Sequence, residues 1–216
     1  MPMIYIDDKF DFDLDVALRE ISVQRRQSAL RFKKAEGRIL SVAAYLLLKR
    51  SLRDLYGFDC NPDLGYEQNG KPFIVGHPEV CFNISHCRKA AACAVDGCPV
   101  GVDVETLRPF REELACHVLS GSEYAAVVGS ENPETEFIRL WTMKESFLKL
   151  TGEGIRTDLK TLFGNGNGCA DEYSETYIVY NKEKITVGRT TRRFSDVMFS
   201  TVFFPQYIVT WCSRVR

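Results

Sequence analysis

The 216-residue chain carries 28 Lys plus Arg against 29 Asp plus Glu, for a formal net charge of −1, with 45% hydrophobic and 26% charged residues. That balance excludes a generally basic nucleic-acid coat, an acidic tail protein, and a disordered or collagenous chain. A chain of this size buries about 70% of its unfolded surface, enough for one large or two small domains.

Charge is unevenly spread along the chain. Met1 to Asp8 has neither the basic start nor the apolar run of a secretory signal. No later stretch reaches the roughly 18 apolar residues of a membrane span. A cytoplasmic protein with no membrane or nucleic-acid partner is therefore expected. Residues 1 to 15 hold Asp7, Asp8, Asp11, Asp13 and Asp15 against Lys9. Between Arg19 and Arg53 ten basic residues meet only Glu20 and Glu36, in a segment that reads as helix and closes at Gly57. A solvated face, a nucleic-acid patch or a polyphosphate cleft would each suit this segment; the near-zero net charge and lack of interleaved aromatics disfavour nucleic acid.

Short strands follow. Asn69-Gly70 predicts a tight turn, and Val80–Ile84, Ala90–Val95 and Pro99–Glu105 have strand composition. Helices are expected at about Ser122–Gly129 and Thr135–Leu150, a loop at Gly164–Gly168, and strands at Tyr173–Tyr180, Lys184–Thr190, Asp196–Phe203 and Tyr207–Ser213. Helices before strands, twice over, suggest an α+β fold with two similar halves. The eight cysteines form no Cys-x-x-Cys pair and read as small buried hydrophobes in a reducing compartment.

Three segments could carry chemistry. In Gly101-Val102-Asp103-Val104-Glu105, strand alternation turns Asp103 and Glu105 to one face. Paired carboxylates of this kind suit Mg²⁺, and equally the solvated face of an edge strand. In Trp141-Thr142-Met143-Lys144-Glu145, the helical wheel puts Phe137, Trp141, Lys144 and Leu148 on one stripe. Lys144 must then snorkel or meet a partner, while Glu145 and Lys149 flank the stripe one turn apart, where a plain surface ion pair would also fit. In Phe82-Asn83-Ile84-Ser85-His86, neighbouring strand residues face opposite ways, so a Ser85–His86 nucleophile pair has poor geometry. A hydroxyl and imidazole meeting a phosphate, or a capping serine beside a partly buried histidine, fits better. No glycine-rich phosphate loop of the common kinds is present.

These segments, with Asn69-Gly70-Lys71-Pro72 before them and Lys149 and Gly152 after, occur in the order of the 4′-phosphopantetheinyl transferases of the surfactin-synthetase-activating type, which the chain resembles along nearly its whole length. The resemblance implies a monomer of two α+β subdomains, about 1–104 and 105–216. Each would have a small antiparallel sheet packed with helices, related by a pseudo-twofold with the active site between them. It implies Mg²⁺-dependent transfer of the phosphopantetheine arm of coenzyme A to a serine of an apo acyl or peptidyl carrier protein, releasing adenosine 3′,5′-bisphosphate. By motif, Asp103, Glu105 and Glu145 correspond to the metal ligands, Glu145 and Lys149 to the catalytic pair, and Lys149 to the cation on the diphosphate. Arg25, Lys71, Ser85 and His86 correspond to positions that hold coenzyme A, and Glu123 to the acidic segment after the metal motif. Two departures stand out. Ser28 sits where a second basic residue is expected, which leaves Arg31 or Arg38 to replace it, and Ala115–Leu119 lacks an Arg-Phe-Phe run. The same carboxylates would also serve a Mg²⁺-dependent nucleotide pyrophosphohydrolase, and a degenerate relative would only bind coenzyme A or a carrier.

Overall fold

The structure, a computed structural model, describes residues 1–154, 158–163 and 171–215; the expected glycine-rich loop at 164–168 lies outside them. The acidic N-terminal stretch begins with a strand, β1 (Met3–Asp7), because Ile4, Tyr5 and Ile6 are buried between the acidic residues and the start. The basic segment is three helices: α1 (Leu14–Glu20), α2 (Val23–Leu30) and α3 (Ala35–Tyr56). Caps make the breaks. Asp13 accepts from the Val16 amide at 2.9 Å, Ser22 from the Arg25 amide at 3.3 Å, and Gly57 ends α3 in the left-handed region at φ 72°.

The hairpin β2 (Leu64–Tyr66) and β3 (Pro72–Ile74) turns where Asn69-Gly70 predicts, with Gly70 at φ 87°. Then come β4 (Cys81–His86), β5 (Ala91–Asp96) and β6 (Val100–Thr106). The second half has α4 (Glu112–Val118), α5 (Gly121–Val128) and α6 (Pro133–Thr151), followed by β7 (Glu172–Tyr180), β8 (Glu183–Phe194), β9 (Val197–Phe203) and β10 (Tyr207–Arg214). Composition alone does not suggest α4, whose seven residues bury only Ala115 and Val118.

The expected α+β class with antiparallel pairing is present, but the two halves share one sheet. Its eight strands run β4-β5-β1-β7-β8-β9-β10-β6, with the parallel β1–β7 pairing as the join. The sequence-based division at 104/105 falls inside β6, all of which pairs with β10. The sheet curls. Ala92 and Ala94 of β5 share a buried cluster with Val100, Val102 and Val104 of β6, from the opposite end of the strand order. The β4–β6 seam is bridged where the Val102 amide donates to Asn83 Oδ1 at 3.1 Å. Outside the curl, α3 packs against β4, β5 and β1, while α6 packs against β6 and β10, giving each half one long helix on its own apolar core.

Burial of the cysteines corrects the sequence reading: Cys93 and Cys212 are buried, Cys81, Cys87 and Cys98 partly so, and Cys60 and Cys116 exposed. The charge asymmetry resolves locally. Asp7, Asp11 and Asp59 line one cavity with Lys49, Arg50 and Arg53, so part of the basic run meets the acidic N-terminal stretch.

Candidate active site

The site begins with a close backbone approach. A Cβ on Gly101 would stand 1.9 Å from the Ser146 carbonyl oxygen and 2.8 Å from the Leu150 nitrogen, so only glycine lets β6 and the last turns of α6 touch. Strand alternation then sends Val102 and Val104 into the curl and Asp103 toward α6. Lys149 Nζ donates to Asp103 Oδ1 at 2.6 Å, to Ser85 Oγ at 2.8 Å and to the Val102 carbonyl at 3.2 Å. The Ser85 hydroxyl donates to the same Oδ1 at 2.9 Å. Asp103 is 4% exposed, and its Oδ2 is buried with no partner among the described residues.

The other two carboxylates flank this cluster. Glu105 accepts from Trp141 Nε1 at 3.2 Å and lies 3.8 Å from Arg108. Burial raises its pKa above the ordinary carboxylate range, and the charge of Asp103 adds to the rise. Glu145 is raised for the same two reasons, opposed by Lys149. Asp103 is thus the shared electrostatic neighbour of both. Among the described residues no group of three or more His, Cys, Asp or Glu is gathered closely enough to hold a metal ion. The donors still fit a hard divalent cation in their chemistry: carboxylate oxygens that repel one another, one of them buried and unpartnered.

Beside the cluster opens a cleft of about 340 Å³ lined by Arg25, Tyr66, Lys71, Asn83, Glu145 and Lys149, among others. Arg25 is held by Ser41, with Nη2 donating to its carbonyl at 2.7 Å and its hydroxyl at 2.8 Å, and lies over the Tyr45 ring at 5.7 Å. Its Nε is buried without a partner among the described residues, and burial lowers its pKa. Lys71 Nζ donates to the Leu150 carbonyl at 2.6 Å, so the hairpin lysine caps the C-terminal end of α6. His86 is half-buried at the end of β4, edge-on to Phe32 with ring centroids 6.1 Å apart. Its pKa is lowered by burial first, then by the charges of Arg25 and Lys149.

Of the sequence candidates, Ser85, Asp103 and Lys149 form one bonded cluster, and Arg25, Lys71, Glu145 and Lys149 share one cleft. The i, i+4 pairing of Glu145 with Lys149 is not what forms, since the lysine reaches across to Asp103. Ser28 bonds back to the Gln24 carbonyl at 3.1 Å, and Arg38 Nε donates to the Phe32 carbonyl at 2.9 Å; neither lines the cleft. Lys144 lies in the apolar stripe as the wheel predicts, 1% exposed, and donates to Glu123 at 2.8 Å and the Leu159 carbonyl at 2.6 Å. Glu123 also closes a capping box with Ser120. Sequence reasoning missed Ser41 and Tyr45, which hold Arg25, because they read as part of an apolar helix face. It also missed the partner of Trp141, whose indole N–H was the only available signal.

The sequence profile of the 4′-phosphopantetheinyl transferase superfamily matches residues 99–183, a stretch that includes Asp103, Glu105, Glu145 and Lys149. The chain is 32% identical over 149 residues to a 4′-phosphopantetheinyl transferase of Bacillus subtilis, covering 67% of this chain and 66% of that one. It is 32% identical over 144 residues to another from Bacillus pumilus, covering 65% and 62%. A third, from Nostoc sp., is 38% identical over 98 residues, covering 42% and 41%. The matched stretch spans just under two thirds of the length of the first two relatives.

Proposed function

The chain belongs to the 4′-phosphopantetheinyl transferase superfamily, and from that premise we propose that it transfers the 4′-phosphopantetheine group of coenzyme A to a serine of an apo acyl or peptidyl carrier protein, releasing adenosine 3′,5′-bisphosphate. The observation that carries the reading is the Asp103–Lys149–Ser85 cluster, with Glu105 and Glu145 as electrostatic neighbours, at the edge of a cleft that Arg25 and Lys71 also line.

Asp103, Glu105 and Glu145 would hold Mg²⁺, which when bound supplies charge neutralisation on the diphosphate. The chain's own groups do the rest. The serine oxygen bonds to the pantetheine-side phosphorus, and the bond from that phosphorus to the adenosine bisphosphate oxygen breaks. Glu145 lines the cleft with a raised pKa, which suits it to take the serine proton. Lys149, whose ammonium bonds Asp103 and Ser85 on the cleft wall, sets a positive charge beside the leaving phosphate. Arg25, Lys71, Ser85 and His86 bind the nucleotide end.

Intact-mass analysis tests this. Several apo carriers are incubated with the protein, coenzyme A and Mg²⁺. Mass gain by the phosphopantetheine increment on at least one carrier is the expected result. Rapid bisphosphate release without any carrier would instead make the protein a hydrolase, and neither outcome would leave it a binding protein.

A further inference from the structure

A further cavity, of about 410 Å³, lies at one mouth of the curled sheet and is lined by residues that the transfer reaction does not use. Its wall is a row across four strands on the inner face. Ser174 pairs with Arg189, Thr191 with Ser200, and Ser200 with Trp211. These residues share a face with Val102, Val202 and Val209, whereas Asp103 faces α6 on the other side of the sheet.

Arg189 is the feature that needs an explanation. It is half-buried, and its guanidinium donates to two hydroxyls, Ser174 Oγ at 3.1 Å and Ser200 Oγ at 3.3 Å. Burial lowers its pKa, and no carboxylate among the described residues offsets this. Arg139, by contrast, is buried against Glu136 and Asp171. A guanidinium desolvated without a counter-charge is costly unless something anionic completes it. Arg25, in the proposed coenzyme A cleft, is held in the same way by Ser41. The cavity also has an apolar wall, Met198 and Trp211. Its other charged groups are the Met1 ammonium, 3.8 Å from Asp96, together with Glu172 and Arg214, the last of which is paired with Asp196. With Asp96 paired to that ammonium, Arg214 paired to Asp196 and Glu172 also on the wall, the cavity does not gather the positive charge that a multiply charged phosphate needs.

We propose that this cavity binds a small monocarboxylate with an apolar body, its carboxylate bidentate on the Arg189 fork and its chain against Met198 and Trp211. The fork geometry matches a carboxylate, and the cavity volume falls in the range of small-molecule sites.

Hexanoate is the probe. The chain has two tryptophans, Trp141 beside Glu105 and Trp211 in this cavity, so their indole N–H resonances report the two sites separately. In wild-type protein, titrated hexanoate should shift the Trp211 resonance saturably and leave Trp141 unmoved. Calorimetric affinity should fall at least about tenfold in Arg189→Met, the loss of a charge-assisted pair, and hold in Arg25→Met. Inorganic phosphate should fail to compete. A shift of Trp141 alone, an absence of saturation, or equal affinity in Arg189→Met would each overturn the proposal. The wild-type resonance data decide it even if that variant does not fold.

Discussion

At the scale of single residues, Asp103 concentrates the site's electrostatics. One of its oxygens is shared by an ammonium and a hydroxyl, and the other is buried with no partner among the described residues. Asp103→Asn keeps the shape and removes the charge. Transfer to an apo carrier should then fall at least about a hundredfold, since a ligand to a catalytic cation contributes several kcal/mol. Near-normal turnover at saturating Mg²⁺ would sink the assignment. The same residue sets a pH dependence. Glu105 and Glu145 have pKa values raised above 4.5 by burial and by Asp103. The folded protein therefore holds protons that the unfolded chain has released, and the stabilisation is full below about pH 4.5 and lost as pH rises through the raised values. In metal-free protein, the thermal midpoint of wild type relative to Asp103→Asn should drop as pH climbs from 4 toward 7. A difference independent of pH would show that Asp103 does not couple to the two glutamates.

At the scale of elements, the β6–α6 contact and the α5–α6 clasp place the chemistry. Gly101→Ala puts a methyl group into the backbone of α6, where no side chain can rotate away. Overpacking of this kind costs about 1–3 kcal/mol. The variant should melt several degrees lower and lose activity beyond its loss of stability, because Asp103 and Lys149 sit on the two elements forced apart. Retained activity in the folded fraction would show that the approach is not needed for the site. The clasp is Lys144, buried between Glu123, the Leu159 carbonyl and the Phe163 ring at 5.2 Å. Lys144→Met leaves Glu123 its bond from the Ser120 amide. Lys144→Glu sets two carboxylates together without a cation, a break of the 3–5 kcal/mol kind. Thermal midpoints should therefore rank wild type, then Met, then Glu; equal midpoints would place Lys144 in solvent. Much of this was legible in the sequence. The 3.6 period buried Lys144, alternation turned Asp103 from its valine neighbours, and glycines stopped α3 and α6. The partners were not legible, because they come from distant segments. Nothing within α6 says that Lys149 prefers Asp103 to Glu145 four residues away, or that Lys71 spends its donor on the Leu150 carbonyl. β1 was hidden among aspartates, and the joining of the halves into one sheet rests on a β1–β7 pairing separated by most of the chain.

At the scale of the whole molecule, the cleft exists only because both halves contribute to it: α2, the hairpin and β4 on one side, and α6 on the other. The proposed substrate spans the same divide. Its diphosphate would meet Lys149 on α6, whereas its ribose 3′-phosphate would need cations from the first half. Arg25 is the best placed of these. It is already desolvated, and its Nε is bare. The pKa of His86 is lowered by burial and by the charges of Arg25 and Lys149, and a nearby phosphate would act in the opposite direction. Lys71 is partly committed to the end of α6. Charge-assisted bonds to phosphate contribute about 1.5–3 kcal/mol each, so dephospho-coenzyme A should be weaker by a factor on the order of ten to several hundred. The loss should fall on KM, because a group remote from the reacting phosphorus binds ground and transition states alike. Arg25→Ala and His86→Ala should raise KM for coenzyme A and change it little for the dephospho form, narrowing the gap between the two donors. Steady-state kinetics with both donors on wild type and the two variants reads this directly. Equal KM values for the two donors in the wild-type protein would remove the 3′-phosphate pocket from the first half and leave Arg25 as a structural partner of Ser41.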